Sequence, residues 1–110
     1  MVAFIDGRKP TADEIVRARE EFGDYIKIVI DIKTKKYTIG GRLHADGEKI
    51  LLNHGSLQKN LWGGGYDLLT NEIDANALIN TRPENQIQEI LDPKIRERFL
   101  HLAAIYLKPL

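Results

Sequence analysis

The chain contains no cysteine. That removes disulfides, cysteine-ligated zinc, iron–sulfur clusters and thiol catalysis together. Small secreted domains commonly depend on disulfides, so this absence points to a cytoplasmic protein. A surplus of either charge is missing too: sixteen basic and sixteen acidic side chains leave a formal net charge of zero. Non-specific nucleic-acid binding draws on excess Lys and Arg to neutralise phosphates, which disfavours a dedicated DNA or RNA binder. Zero net charge also removes self-repulsion, so association with itself as a homodimer, or with another protein, meets little electrostatic resistance. Long apolar runs are absent as well. The stretch Tyr25 to Ile32 is interrupted by Lys27 and Asp31 and is far too short to span a membrane. Met1 to Pro10 carries Asp6, Arg8 and Lys9 and lacks the apolar centre of a signal peptide.

What remains is a globular balance. Hydrophobic residues make up 43% and charged residues 29% of 110 residues, enough apolar side chains to build one core and too few residues for two. No repeat, low-complexity tract or linker divides the chain, so residues 1–110 are expected to form a single domain.

Two helices are strongly signposted. Thr11 and Glu14 make a T-x-x-E capping box, and Ala12, Ile15, Val16, Arg19 and Phe22 follow on one face. Gly23 suits the left-handed position after the helix end, which predicts a helix over 12–22. Near the other end, Asp92 is an N-cap and Pro93 takes the first helical position. Ile95, Phe99, Leu102, Ala103 and Tyr106 follow at helical spacing up to Lys108 and Pro109.

Between them lies strand chemistry. Ile26, Ile28, Ile30 and Ile32 alternate with Tyr25, Lys27, Val29 and Asp31, giving one apolar face and one mixed face. After the polar turn Lys33 to Lys36, Tyr37, Ile39, Gly41 and Leu43 alternate again, and the pair reads as an antiparallel hairpin. Gly40 and Gly41 mark a bulge or a close backbone approach. Asp46 to His54 reads as a short helix ended by Gly55, burying Ile50, Leu51 and Leu52. Leu61 to Leu69 is extended, Thr70 and Asn71 turn, and Glu72 to Ala75 returns as a second hairpin arm. Leu78 and Ile79 are expected as one more short strand. The fold class is α+β: a small antiparallel sheet of two hairpins, with the N-terminal and C-terminal helices packed on one face.

The segments Ile39-Gly40-Gly41, Leu43-His44-Ala45-Asp46, Gly55-Ser56, Leu61-Trp62-Gly63, Ile73-Asp74, Leu78-Ile79-Asn80, Arg82-Pro83 and Asp92-Pro93 with Ile95-Arg96 together resemble a small prokaryotic family of unknown function. The resemblance spans most of the chain and implies no particular activity. The chain departs from that pattern after Arg82-Pro83, where Glu84, Asn85 and Gln86 replace a more basic, glycine-containing loop. No anion-binding role therefore carries over to that loop.

Three polar groupings are candidates for a site. If the second strand runs on through Ala45, Arg42, His44 and Asp46 share one face, and a histidine beside a carboxylate can act as a general base. The plainer reading is a strand end with a solvated polar face and Asp46 as the helix N-cap. A metal variant would use His44, Asp46 and His54, although no tight ligand spacing accompanies them, and His54 has an ordinary role at a helix C-terminus. The second grouping is Asn80 and Arg82, where the guanidinium could hold a carboxylate or phosphate or pair internally with Asp74 or Glu72. The third is Trp62 with Gly63, Gly64 and Gly65. It lacks the ending of a P-loop and the spacing of a dinucleotide turn, so Trp62 reads as core or as an interface anchor. No cofactor signature is present, and no metal or cofactor is expected. Two function classes follow: a small non-catalytic binding or protein-interaction domain, which is the expected one, or a small enzyme. In the enzyme, His44 and Asp46 would be the acid–base pair, and Arg42 and Arg82 would hold an anionic substrate. The enzyme requires His44 and Arg82 to converge on one pocket.

Overall fold

Alternation in the chain builds the sheet directly. A computed structural model describes residues 1–108. Its strands are β1 (Ala3–Asp6), β2 (Tyr25–Asp31), β3 (Lys36–Ile39), β4 (Leu61–Asp67) and β5 (Glu72–Asp74), and its helices are α1 (Ala12–Ala18), α2 (His44–Asn53) and α3 (Pro93–Leu107). All neighbouring strands pair antiparallel, in the order β1-β3-β2-β4-β5. The two expected hairpins are present, joined through β2 and β4 at the centre. The edge strand β1 was not expected; it pairs Ala3 to Asp6 with Ile39 to Lys36.

Ile26, Ile28 and Ile30 are fully buried or nearly so, in register with Tyr66, Gly64 and Trp62 of β4. They form one core with Ile15 and Ala18 of α1 and with Phe99, Leu102, Ala103 and Tyr106 of α3, so both terminal helices cover this face as expected. Tyr106 stacks on Tyr37 at 4.7 Å, and the Tyr37 hydroxyl donates to the Arg8 carbonyl at 2.6 Å. The opposite face is not left open. Helix α2 lies across it, and Leu51 packs with Val29 and Leu61. Gly47, in the first half of α2, lets the helix sit close: a Cβ there would run into the Thr38 hydroxyl and lie 3.1 Å from a Val29 methyl. The mixed face of β2 is therefore covered at Val29 and Asp31, while Tyr25 and Lys27 stay partly exposed.

Element ends depart from expectation for local reasons. The Thr11–Glu14 capping box forms, but α1 stops at Ala18 because the chain tightens into turns that end on Gly23, at φ +64°. Val16 and Phe22 consequently leave the buried stripe and are exposed. β3 ends at Ile39 because Gly40 and Gly41 both adopt positive φ. At Gly40 the backbone passes so near Ala18 that a Cβ would stand 2.8 Å from its Cα. The expected close approach is real, and it sends the chain into α2 two residues earlier than predicted. Leu52, predicted buried, is exposed. Leu78 and Ile79 belong to a single 3-10 turn, Leu78–Asn80, not to a strand. In α3 the Asp92 cap and Pro93 start are as expected, and Lys108 closes the helix; Pro109 lies outside the described residues.

One side chain ties the chain after β5 to the sheet. β5 ends at Asp74, leaving the outer edge of Gly63 without a strand. The Asn80 side chain takes that place: its Oδ1 accepts the Gly63 N–H at 2.8 Å and its Nδ2 donates to the Gly63 carbonyl at 3.0 Å. Nδ2 also bonds the carbonyls of Ala75 and Gln88. Asn85, likewise buried, donates to the carbonyls of Asn80, Ile87 and Glu89 and accepts from the Leu91 N–H.

Two predictions follow from these contacts. Asn80→Ala strands several buried backbone groups at once and should lower stability by about 2–4 kcal/mol, read by denaturant unfolding; a loss within about 0.5 kcal/mol would refute the strand-surrogate role. The second concerns acid. The Arg8 guanidinium, bonded to Glu14 through two contacts of 2.8 and 2.9 Å, holds that carboxyl down to about 2 from its usual 4.5. A depressed carboxyl stabilises the fold above its unfolded pKa, and the gain is lost as pH falls through the folded one. Glu14→Gln should therefore flatten the stability profile between pH 4.5 and about 2, and an unchanged profile would rule the pair out as a contributor.

Candidate functional site

Row by row, the pleat determines what meets on the α2 side of the sheet. Lys27, Gly65 and Asp74 are cross-strand partners on β2, β4 and β5 and so form one row. Gly65 presents no side chain, and the Tyr25 ring lies over it; a Cβ at Gly65 would collide with the Tyr25 hydroxyl. That hydroxyl instead reaches across the strand and donates to Asp74 Oδ2 at 2.8 Å. The other carboxylate oxygen accepts the Asn76 N–H at 3.0 Å. Burial, followed by the neighbouring Asp74, pushes the Tyr25 phenol well above its ordinary value, so it stays protonated.

Gly63 does the same for His44. A Cβ at Gly63 would stand 3.2 Å from His44 Cδ2 and 2.7 Å from the Ala77 Cβ. With that space free, the imidazole folds onto β4, and its Nε2 lies 2.7 Å from the Gly64 carbonyl. A carbonyl can only accept, so Nε2 carries the proton and Nδ1 bears the lone pair of the neutral ring. Among the described residues Nδ1 has no bonding partner, and it is not sealed from solvent. Burial, reinforced by the Lys27 ammonium and opposed by the Gly64 carbonyl and Asp74, holds the His44 pKa below 6.5.

These groups surround a cavity of about 540 Å³. Tyr25, Lys27 and Asp74 line it from the sheet, and its walls are the first turn of α2 and the chain segments around 76–79 and 88–89. Leu43, Leu78 and Ile79 supply apolar surface, with Leu43 and Leu78 strongly exposed. Lys27, His44, Asp74 and Glu89 supply polar groups. The Lys27 ammonium sits 5.1 and 5.9 Å from the ring centres of Phe22 and Tyr25, and Glu89 pairs with Arg96 at 2.9 Å.

Of the residues singled out in the sequence, only His44 lines this pocket. The strand that would have carried Arg42, His44 and Asp46 ends at Ile39, and the three lie on a loop and a helix start instead. Asp46 is not the N-cap, which is Leu43; it stands at the third helical position and accepts the Leu43 N–H at 3.1 Å, closing the helix start from inside. His44 is oriented by a carbonyl, not by Asp46. Arg42 is exposed and is not among the pocket's lining residues. His44 and His54 lie at opposite ends of α2, roughly 15 Å apart at 1.5 Å per residue, so they share no ion. His54 instead bonds the Ile50 carbonyl through Nδ1 at 2.9 Å and stacks on Phe4 at 3.8 Å. Among the described residues no three metal-ligating side chains cluster.

Asn80, Arg82 and Trp62 form the pocket's scaffold. Asn80 is fully buried in the bonds given above. Trp62 is 3% exposed, and the Arg82 guanidinium lies over its ring at 3.8 Å. Arg82 Nη2 donates to the carbonyls of Leu61 and Ile79 at 2.7 and 3.2 Å. It pairs internally, as one reading expected, but with backbone oxygens and not with Asp74 or Glu72. His44 and Arg82 thus fail to converge. The residues after Arg82-Pro83 close a tight turn in which Arg82 and Asn85 exchange both backbone hydrogen bonds, which accounts for the absence of a glycine-containing loop there.

Sequence reasoning missed Tyr25, Lys27, Asp74 and Glu89. A signal existed: Tyr25 and Lys27 share the mixed strand face, and side-chain-free positions on a central strand leave room for something to lie across them.

The fold and this cavity define a small α+β domain built on one antiparallel sheet, with a ligand-sized pocket on its α2 side. The chain belongs to a family of proteins of unknown function, DUF5674, whose model matches residues 5–105. That bears out the family resemblance noted in the sequence and assigns no activity. Neither a curated protein nor a solved structure matches the chain. No helix among the described residues is long and apolar enough to cross a membrane.

The role of Gly65 can be measured. Gly65→Ala should cost about 1–3 kcal/mol by overpacking against Tyr25. In a Tyr25→Ala background the same change should cost far less, giving a coupling energy of about 1 kcal/mol or more in a double-mutant cycle. Additive losses would show that Gly65 does not serve Tyr25.

Proposed function

We propose that this chain is a binding domain that holds a small ligand in the His44–Tyr25–Asp74 pocket without transforming it. The observation that carries the reading is the cavity itself. About 540 Å³, apolar walls and a few polar groups at fixed positions are the usual makeup of a small-molecule site. The polar groups are pre-set: Tyr25 is bonded to Asp74, and the His44 ring is fixed on the Gly64 carbonyl. Such preorganisation reduces the ordering cost of binding.

The catalytic alternative keeps His44 as a base but loses its partners. A carbonyl fixes the ring without stabilising an imidazolium as a carboxylate would, and burial disfavours the charged ring further. Arg42 and Arg82, the proposed anion holders, are elsewhere. Association through Trp62 finds no support, because that ring is covered.

A small-fragment panel followed by amide chemical-shift mapping checks the proposal. Binders should perturb Lys27, His44, Asp74 and Ala77 together, and Ala45→Trp, at an exposed lining position, should abolish those shifts while the rest of the spectrum stays intact. Shifts that map elsewhere, or survive the tryptophan, would refute it. Binding through Nδ1 should also be steady above pH 6.5 and weaken below it, as protonation removes the acceptor. The charged groups around the ring are Lys27 on β2, Asp74 on β5, Glu89 on the facing loop and Glu48 on α2.

A further inference from the structure

Resting on that reading, we infer that the pocket selects neutral, amphipathic molecules that donate a hydrogen bond to His44 Nδ1 and lay an apolar body against Leu43, Leu78 and Ile79. The polar groups that line the pocket differ in what they have left to offer, and the Asn76 and Gln88 amides stand exposed. Both Asp74 oxygens already accept a bond, from Tyr25 and from Asn76. Glu89 is paired with Arg96, and Lys27 is held over two aromatic rings. Among the described residues Glu89 is the one lining charge held in an ion pair, with Arg96; Lys27 and Asp74 stand in one row without forming one.

An ion entering such a site loses water, a cost that binding has to overcome, and it meets lining charges of both signs, Lys27 beside Asp74 and Glu89. An anionic ligand of the kind expected from the arginines has no N–H or O–H to give His44 Nδ1, and beside Lys27 it would meet the Asp74 and Glu89 carboxylates. An ammonium ligand would face the fixed positive charge of Lys27 beside the one group able to receive it. His44 Nδ1 is different: an acceptor with no protein partner, on a ring held rigid by its other nitrogen. A hydroxyl, an amide N–H or a ring N–H in the ligand completes it without moving charge. The strongly exposed Leu43 and Leu78 give the remainder of the molecule an apolar place to rest.

Three probes with one phenyl body separate the possibilities: 2-phenylethanol, 2-phenylethylamine as its ammonium, and 3-phenylpropionate. Titrated at pH 7.5 and followed by amide shifts, the alcohol should move His44 and Ala77 with a Kd about fivefold or more below either ion. The methyl ether of the alcohol keeps the body but has no donor, and it should bind about as weakly as the ions. His44→Phe should erase the alcohol's advantage over its ether. The ether comparison stands alone should that variant fail to fold. If an ion binds best, or the ether matches the alcohol, the inference is overturned while the pocket remains a binding site. If no probe shifts the pocket residues up to its solubility limit, the inference and the binding reading fall together.

Discussion

The structure depends on how Gly63 is completed. A central strand cannot leave a buried N–H and C=O unpaired without losing on the order of 1–3 kcal/mol for each, yet β5 stops before it reaches Gly63. The Asn80 amide carries a donor and an acceptor about as far apart as a backbone peptide's, so it can pair with both groups of one residue. That allows the sheet to end early while the chain beyond it stays attached. Asn85 repeats the device one layer out, and Arg82 reaches to Leu61 from the same turn. Residues 76–91 contain little regular structure, and these three side chains, with the Asn76–Glu89 bridge and the Ala77 bond to Gln88, hold them in place. They form one wall of the pocket, whose firmness is thus set by groups that do not line it.

The glycine run of β4 acts by subtraction on both faces at once. Gly64 faces the terminal helices, where a Cβ would stand 2.8 Å from the Phe99 ring. Gly63 and Gly65 face α2, where their bareness admits the His44 and Tyr25 rings. Three consecutive glycines weaken a strand through backbone entropy and missing packing. The neighbours compensate, because β2 pairs along the whole of β4 and the isoleucine row beneath is fully buried. Core and pocket are thereby coupled through a single strand.

This division explains what was legible in the sequence. Local rules sufficed where the physics is local: the Thr11 and Asp92 caps, the alternation of β2, the turn at Asn71 and the helical spacing of α3 were all readable, and with them the α+β class and both hairpins. Ends failed where tertiary approach overrides pattern. Nothing in the order Gly40-Gly41-Arg42 announces that Ala18 presses on Gly40, and this contact is what ends β3 and converts a supposed strand face into a helix start. The site was half legible. His44 was singled out, but its partner is a backbone carbonyl twenty residues away, and a carbonyl leaves no mark in a sequence. Asp46 looked like a partner only because it was near in the chain.

Arg82, Asn80 and Trp62 show why polar and aromatic side chains mislead in so small a domain. With 110 residues, one sheet and a long irregular segment to hold, backbone groups outnumber the strands available to satisfy them. Side chains with several donors in fixed geometry are then needed as structural substitutes for strands, and Arg and Asn are the most versatile of these. A buried guanidinium bonded to carbonyls needs no carboxylate nearby to be retained, since the carbonyl dipoles and the Trp62 face supply its compensation. The residues free to recognise a ligand are then those whose polar atoms the scaffold leaves over. Among the groups that line the pocket, His44 Nδ1 meets that description on a ring already held by its other nitrogen.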